Sequence, residues 1–271
     1  MAGNKYQIEL DAALQAAARA AEHVLQLYHA FEAIPDARAD ITTQADRDAQ
    51  EIILQHLRKQ FPTDAFCAEE ATPTLAASPR QGPRVWVVDP IDGTRGFAQK
   101  NGEFSIMIGL IEHDQVVVGV VLEPANQRLT YAVRGGGCWK KDGTGQAERC
   151  QVTENGDLSN LVLTQSRSKP GVVSKQAALL QPARIHETHS AGIKLARVAR
   201  GEADLYVNHY PQFNDWDIAA GHVLVEEAGG HLVGLRGGPV TYGGGTADRH
   251  GMLASNHALF TSVQAALQGA F

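Results

Sequence analysis

The sequence predicts an α/β (α+β) protein in two lobes sharing one cleft, on three observations. Two long helical patterns open the chain, a block of strand-like apolar runs follows from 85 to 140, and after Asp142-Gly143-Thr144-Gly145 the pattern changes to alternating strands and helices. The lobes are therefore placed at 1–145 and 146–271, and 271 residues suffice to bury a substantial core.

Ile8, Leu10, Leu14, Ala17, Ala18, Ala21, Val24, Leu25 and Tyr28 recur at helical spacing, with Pro35 just beyond, which predicts a long first helix. A second helical pattern through Ala49, Ile52, Ile53 and Leu57 begins at Thr42 or Thr43, either of which offers an N-cap hydroxyl, and Phe61-Pro62 closes it. Asp46 falls in its first turns. Residues 71 to 84, rich in Pro, Ala, Thr and Ser, read as an exposed connection before the strand Val85 to Val88. The runs 104–112, 115–123, 128–133 and 138–140, broken at His113-Asp114 and Asn126-Gln127, predict an antiparallel meander. Beyond residue 145 come a strand at Leu161 to Thr164, helices at 172–180 and 190–200, a strand at Leu205 to Val207 and a helix at 217–228. The glycine triplets Gly135 to Gly137 and Gly243 to Gly245 read as turns.

A formal net charge of -6, with no basic run, argues against a nucleic-acid polymer as partner. The three cysteines, Cys67, Cys138 and Cys150, form neither a disulfide framework nor a zinc spacing, so a reducing cytoplasm is expected. Glu9, Asp11, Arg19 and Glu22 interrupt the first apolar stretch, which is therefore read as an amphipathic helix without membrane insertion.

The segment most informative about chemistry is Trp86-Val-Val-Asp89-Pro90-Ile91-Asp92-Gly93-Thr94, an apolar strand ending in two carboxylates and a tight turn into a helix. Two acids flanking Pro90-Ile91 repel each other unless a divalent cation neutralises them, and carboxylate and carbonyl oxygens are the ligands magnesium prefers. The backbone N–H groups of Gly93 and Thr94 at the helix start favour an anion, so a metal and a phosphate can meet here. Taken singly, Asp46 reads as a favourable charge near a helix N-terminus and Glu69-Glu70 as a solvated pair. His186, His189 and His222 have no tetrahedral spacing and read as structural histidines.

Together, Asp46, Glu69-Glu70, Asp89 to Thr94 and Trp216-Asp217-Ile218-Ala219-Ala220-Gly221 resemble, block by block and in order, the inositol monophosphatase superfamily of lithium-sensitive, magnesium-dependent phosphatases. The resemblance covers nearly the whole chain. It implies a layered αβαβα sandwich, commonly dimeric, with its active site between the lobes. It further implies that Glu69, Asp89 and the Ile91 carbonyl bind one Mg2+ and that Asp89, Asp92 and Asp217 bind a second, with a third often proposed near Glu69. Asp46 and Thr94 are expected to orient or deprotonate the attacking water, and Glu70 to support the site from behind. The chemistry agrees: two cations about 3.5–4 Å apart can activate water for an in-line displacement without a protein nucleophile.

Substrate choice must come from outside the acid cluster. Asn101-Gly102-Glu103-Phe104-Ser105 and Ser166-Arg167-Ser168 are similar to runs in the bacterial 3'(2'),5'-bisphosphate nucleotidases of the superfamily, and Ser190 with Lys194 stands where those enzymes carry a Ser/Lys pair. The expected substrate-binding set is thus Asp92, Gly93, Thr94, Arg167, Ser190, Lys194 and Asp217, with Arg167 offering a fork of donors and Lys194 a point charge for a second phosphate. The position of the acid that usually reads sugar hydroxyls falls near Tyr210, which disfavours a polyol. The expected reaction is conversion of adenosine 3',5'-bisphosphate to AMP and phosphate, which clears a by-product of sulfate assimilation. An inositol-1-phosphate or broad sugar phosphatase is the alternative. A sensor that kept the scaffold without catalysis would be expected to have lost at least one acid, and none is missing.

Overall fold

The computed structural model describes residues 4–38, 41–167, 171–210, 213–243, 251–267 and 270. Helices α1 (Gln7–Ala30) and α2 (Gln44–Gln60) come first, followed by β1 (Ala65–Ala68), the short α3 (Pro73–Ala76), β2 (Arg84–Asp92) and the five-residue α4 (Thr94–Ala98). The meander then runs through β3 (Ser105–Glu112), β4 (Gln115–Glu123), β5 (Arg128–Val133), β6 (Gly137–Asp142) and β7 (Glu148–Arg149). The remainder is β8 (Val162–Gln165), α5 (Lys175–Leu180), β9 (Arg184–Glu187), α6 (Ala191–Ala199), β10 (Leu205–Asn208), α7 (Asp215–Glu227), β11 (His231–Gly234), β12 (Met252–Ser255) and α8 (Phe260–Leu267).

Strands β1 to β7 form one sheet in chain order, antiparallel except for the parallel β1–β2 pair. The second sheet runs β11-β12-β10-β8-β9, with β10–β8 and β8–β9 parallel. Three apolar clusters hold five layers together, the second of them lying on both sides of the α6–α7 layer. Trp86, Val88, Ile106 and Ile108 meet α1 and α2; Val87, Met107 and Val121, on the opposite face, meet α6 and α7; and Leu163, Leu205 and Leu253 meet α5 and α8. This is the expected αβαβα sandwich. Because the first sheet is covered on both sides, its strands read as nearly unbroken apolar runs.

The α6–α7 layer is common to both sheets, so the second half of the chain supplies the helices that cover the first half's sheet. Residues 218 to 225 of α7 are all buried. Gly109 and Gly119, paired across β3 and β4, create the room for it: a Cβ on Gly119 would stand 2.3 Å from the Ala220 carbonyl oxygen.

Three features depart from the sequence expectation. Segment 71–84 contains α3 with Thr72, Thr74, Leu75 and Ser78 buried, because Glu51 of α2 accepts from the Thr74 amide at 3.2 Å and its hydroxyl at 2.5 Å. The helix entered from Gly93 is only five residues long. Strands β1, β7, β9, β11 and β12 and helix α8 were not foreseen; the strands have four or fewer residues and carry no clear alternation. Gly135 and Gly137 adopt positive φ, as a turn requires, whereas Gly244, Gly245 and Ser168 lie outside the described residues.

Replacing Gly119 by Val is expected to force α7 off the sheet and to cost about 3 kcal/mol, a fall of about 6–12 °C in Tm, as measured by thermal unfolding.

Candidate active site

Strand β2 carries the centre of the site. Alternation along it turns Trp86 and Val88 toward α1 and α2 and Val87 toward α7, so Asp89 faces the side on which α7 begins. Past Asp89 the pairing with β3 shifts register, and Asp92 follows as the last strand residue. Gly93 then turns the chain with φ +89°; a Cβ there would lie 2.7 Å from the Glu103 carbonyl oxygen and 3.1 Å from the Ser190 amide nitrogen, so only glycine fits. The parallel neighbour β1 delivers Glu69, whose amide donates to the Val88 carbonyl at 3.3 Å.

Two further acids arrive by one local device. Asp46 is the third residue of α2 and accepts from the Thr43 amide and hydroxyl at 2.8 and 2.6 Å; Asp217 is the third residue of α7 and accepts from the Asn214 amide at 2.5 Å. Each carboxylate reaches back to its own helix start, which fixes its rotamer without using a cation.

The five acids converge strongly enough to disturb one another's protonation. Burial, then the charges of Asp46, Asp217, Glu70 and Asp92, push Glu69 up to about 8. Burial, then Glu69, Asp92, Asp217 and Asp46, holds Asp89 well above the usual carboxylate range. Burial also raises Asp46, against the hydrogen bonds from Thr43 and Thr94. Asp89 Oδ1 is buried with no hydrogen-bond partner. An orphaned carboxylate oxygen among four other acids fits a hard divalent cation, since carboxylate and carbonyl oxygens are its preferred donors. Among the described residues, however, no three of these side chains are already drawn together as a closed ligand set.

Asp92 has hydrogen-bond donors of its own. Its Oδ2 accepts from the hydroxyls of Ser190 and Ser105 and from the Gly192 amide, the last at 2.7 Å, while Oδ1 accepts from the Ala191 amide at 3.0 Å. The first turn of α6 thus grips Asp92, and Ser190 serves this carboxylate rather than open space in the cleft. The Thr94 hydroxyl lies 2.9 Å from Asp46 Oδ1 and 3.0 Å from the Ile91 carbonyl oxygen; with one proton it serves one acceptor at a time.

Lys194 is fully buried on α6, its ammonium donating to Ser166 Oγ at 2.8 Å and standing 5.0 Å from the centre of the Tyr206 ring. Burial lowers it to about 8, opposed by the charges of Asp92 and Asp217. Arg167 makes a forked ion pair with Glu103, Nε to Oε2 at 2.7 Å, so the Asn101–Ser105 and Ser166–Arg167 segments meet across the cleft. Phe213 is buried, and Tyr210 is exposed, stacked on His209. His189 and His222 bond Gln99 and Tyr242, consistent with structural roles.

Sequence reasoning missed three contributors. Buried Gln50 clamps the Glu70 backbone from both sides, amide to Oε1 at 2.8 Å and carbonyl to Nε2 at 2.5 Å, and so orients Glu69. A polar residue inside the apolar stripe of α2 was the available signal. Ser105, inside the Asn101–Ser105 run, carries no local mark of its contact with Asp92, and Tyr206, inside an apolar strand, carries none of its contact with Lys194.

A family model described as the inositol monophosphatase family matches residues 6–268. The chain is 33% identical over 238 residues to the 3'(2'),5'-bisphosphate nucleotidase CysQ of Escherichia coli K12, covering 86% of this chain and 93% of that one. It is 35% identical over 200 residues, 73% of each chain, to a fructose-1,6-bisphosphatase/inositol-1-monophosphatase of Thermotoga maritima. Among solved structures, a Thermotoga maritima IMPase superposes with a TM-score of 0.81 at 29% identity over 97% of both chains. The extragenic suppressor protein suhB of Bartonella henselae gives 0.82 at 26% identity, over 98% of this chain and all of that one. The chain belongs to the inositol monophosphatase family, and it is a phosphatase.

For acids whose pKa is raised on folding, stability is full below the ordinary carboxylate range and declines as pH climbs through the raised values. In the presence of a chelator, Asp89→Asn is therefore expected to melt several degrees above the parent at pH 8, with the gap narrowing as the pH falls toward 4, measured by thermal denaturation across that range.

Proposed function

We propose that the chain is a magnesium-dependent 3'(2'),5'-bisphosphate nucleotidase that converts adenosine 3',5'-bisphosphate to AMP and phosphate. The observation that carries the choice of substrate is Lys194, a buried ammonium beside the acid cluster that meets a serine hydroxyl and an aromatic face. A second phosphate on the substrate is the anion that would complete it. The 33% identity to the Escherichia coli nucleotidase supports this reading.

In this reading Glu69, Asp89, Asp92, Asp217 and the Ile91 carbonyl hold two or three Mg2+ ions. When bound, those ions supply the positive charge that makes water a better nucleophile and steadies the departing oxygen. The remaining steps belong to the chain. Thr94 orients the attacking water and relays its proton to Asp46, whose burial raises its proton affinity toward that task. The Gly93 and Thr94 amides bind the phosphate being cleaved, and Lys194 binds the one retained. Arg167 joins substrate binding by exchanging Glu103 for the substrate's phosphate, and the reaction takes place in the cytoplasm.

A second reading, an inositol-1-phosphate or sugar phosphatase, is favoured by the 35% identity to the Thermotoga maritima enzyme. Side-by-side turnover with Mg2+ decides: the bisphosphate is expected to give a kcat/KM at least about tenfold above that of inositol-1-phosphate. Equal or reversed rates transfer the assignment to the second reading. Asp89→Asn is expected to abolish turnover of both esters while remaining folded. Lys194→Met is expected to raise KM about tenfold for the bisphosphate and to leave KM for inositol-1-phosphate unchanged, read from steady-state kinetics.

A further inference from the structure

A cavity of ≈ 680 Å3 opens where the end of β4, the start of β5, strand β9 and the last turn of α6 meet. It shares no lining residue with the five acids of the active site. Four guanidinium groups face it, those of Arg128, Arg184, Arg197 and Arg200, against two carboxylates, Glu123 and Glu202.

The hydrogen bonds sort these charges into two groups. Arg200 donates to Glu123 Oε1 at 2.8 Å and to both Glu202 oxygens at 2.9 and 3.0 Å. Arg128 adds a bond to Glu202 Oε1 at 3.0 Å and pairs with Asp142, and Asn126 occupies Glu123 Oε2 at 3.1 Å. Every carboxylate oxygen of the lining is thereby engaged. Arg184 and Arg197 are left with no acid in ion-pair range among the described residues, and Arg197 Nη1 is buried with no hydrogen-bond partner at all. Burial, then the neighbouring charges of Arg197 and Arg184, lowers the proton affinity of His186, so the arginines supply the cavity's positive charge.

A buried guanidinium nitrogen without an acceptor is costly, and a fork of N–H donors matches the oxygens of a phosphate group. Glu123 and Glu202 act on Arg197 only at longer range, so Arg197 and the exposed Arg184 present two guanidinium groups without an acid of their own, one for each phosphoryl group of a two-phosphate anion. We propose that this cavity is a second anion site, separate from the catalytic centre, that takes a compact diphosphate group. Arg184 and Arg197 grip the diphosphate from β9 and α6. Since α6 also grips Asp92 through its first turn, an occupant at Arg197 touches the same helix that orients the catalytic acids.

The test uses the full chain purified without added divalent cations, in which the acid cluster repels anions and leaves the arginine cavity as the attractive site. Calorimetric titration with inorganic pyrophosphate is expected to show saturable binding, weakened about tenfold or more in the exposed variant Arg184→Glu and likewise in Arg197→Gln. Circular dichroism confirms that each variant is folded. A parallel titration with ADP separates the sources: binding equal to pyrophosphate assigns the site to nucleoside diphosphates, and absence of ADP binding assigns it to the free anion. Lack of saturable binding of either compound by the parent, or parent-like affinity in both variants, overturns the proposal. Neither outcome depends on which ester the catalytic centre hydrolyses.

Discussion

The interaction on which this structure turns is repulsion among buried carboxylates. Glu69 and Asp89 sit where burial and four neighbouring acids all oppose ionisation, and the fold nevertheless holds them there. Hydrogen bonds grip Asp46, Asp92 and Asp217 individually.

Most of the architecture serves that convergence. A strand one in from the sheet edge, buried on both faces, carries Asp89, the end of its parallel neighbour β1 leads into Glu69, and three helix starts bring Asp46, Asp217 and the grip on Asp92. The helical layer shared by the two sheets is the part that cannot move independently, since α7 supplies both core residues and Asp217. The glycine pair Gly109 and Gly119 is what permits its close approach, so packing far from the cleft sets the position of Asp217.

Much of this was legible in the chain. The period of α1 and α2, the meander and the Asp89–Thr94 motif all follow from local patterns strong enough to survive tertiary packing. Even the two N3 acids, Asp46 after Thr43 and Asp217 after Asn214, have a local signature in the capping box. What stayed hidden is non-local: Gln50 reaching the Glu70 backbone, Ser105 and Ser190 converging on Asp92, and Arg167 meeting Glu103 over 64 residues of chain. Short strands such as β1 and β11 are equally silent, because four residues carry too little period to outweigh their surroundings. The arginine cavity is invisible for the same reason, its four cations being scattered from 128 to 200.

The most direct measurement is anomalous diffraction from crystals soaked with Mn2+ as a substitute for Mg2+. The account expects at least two strong peaks against Asp89, one shared with Glu69 and the Ile91 carbonyl and one with Asp92 and Asp217, with those side chains turned inward from their helix starts. A soaked crystal that shows no metal within coordination distance of Asp89 would contradict it.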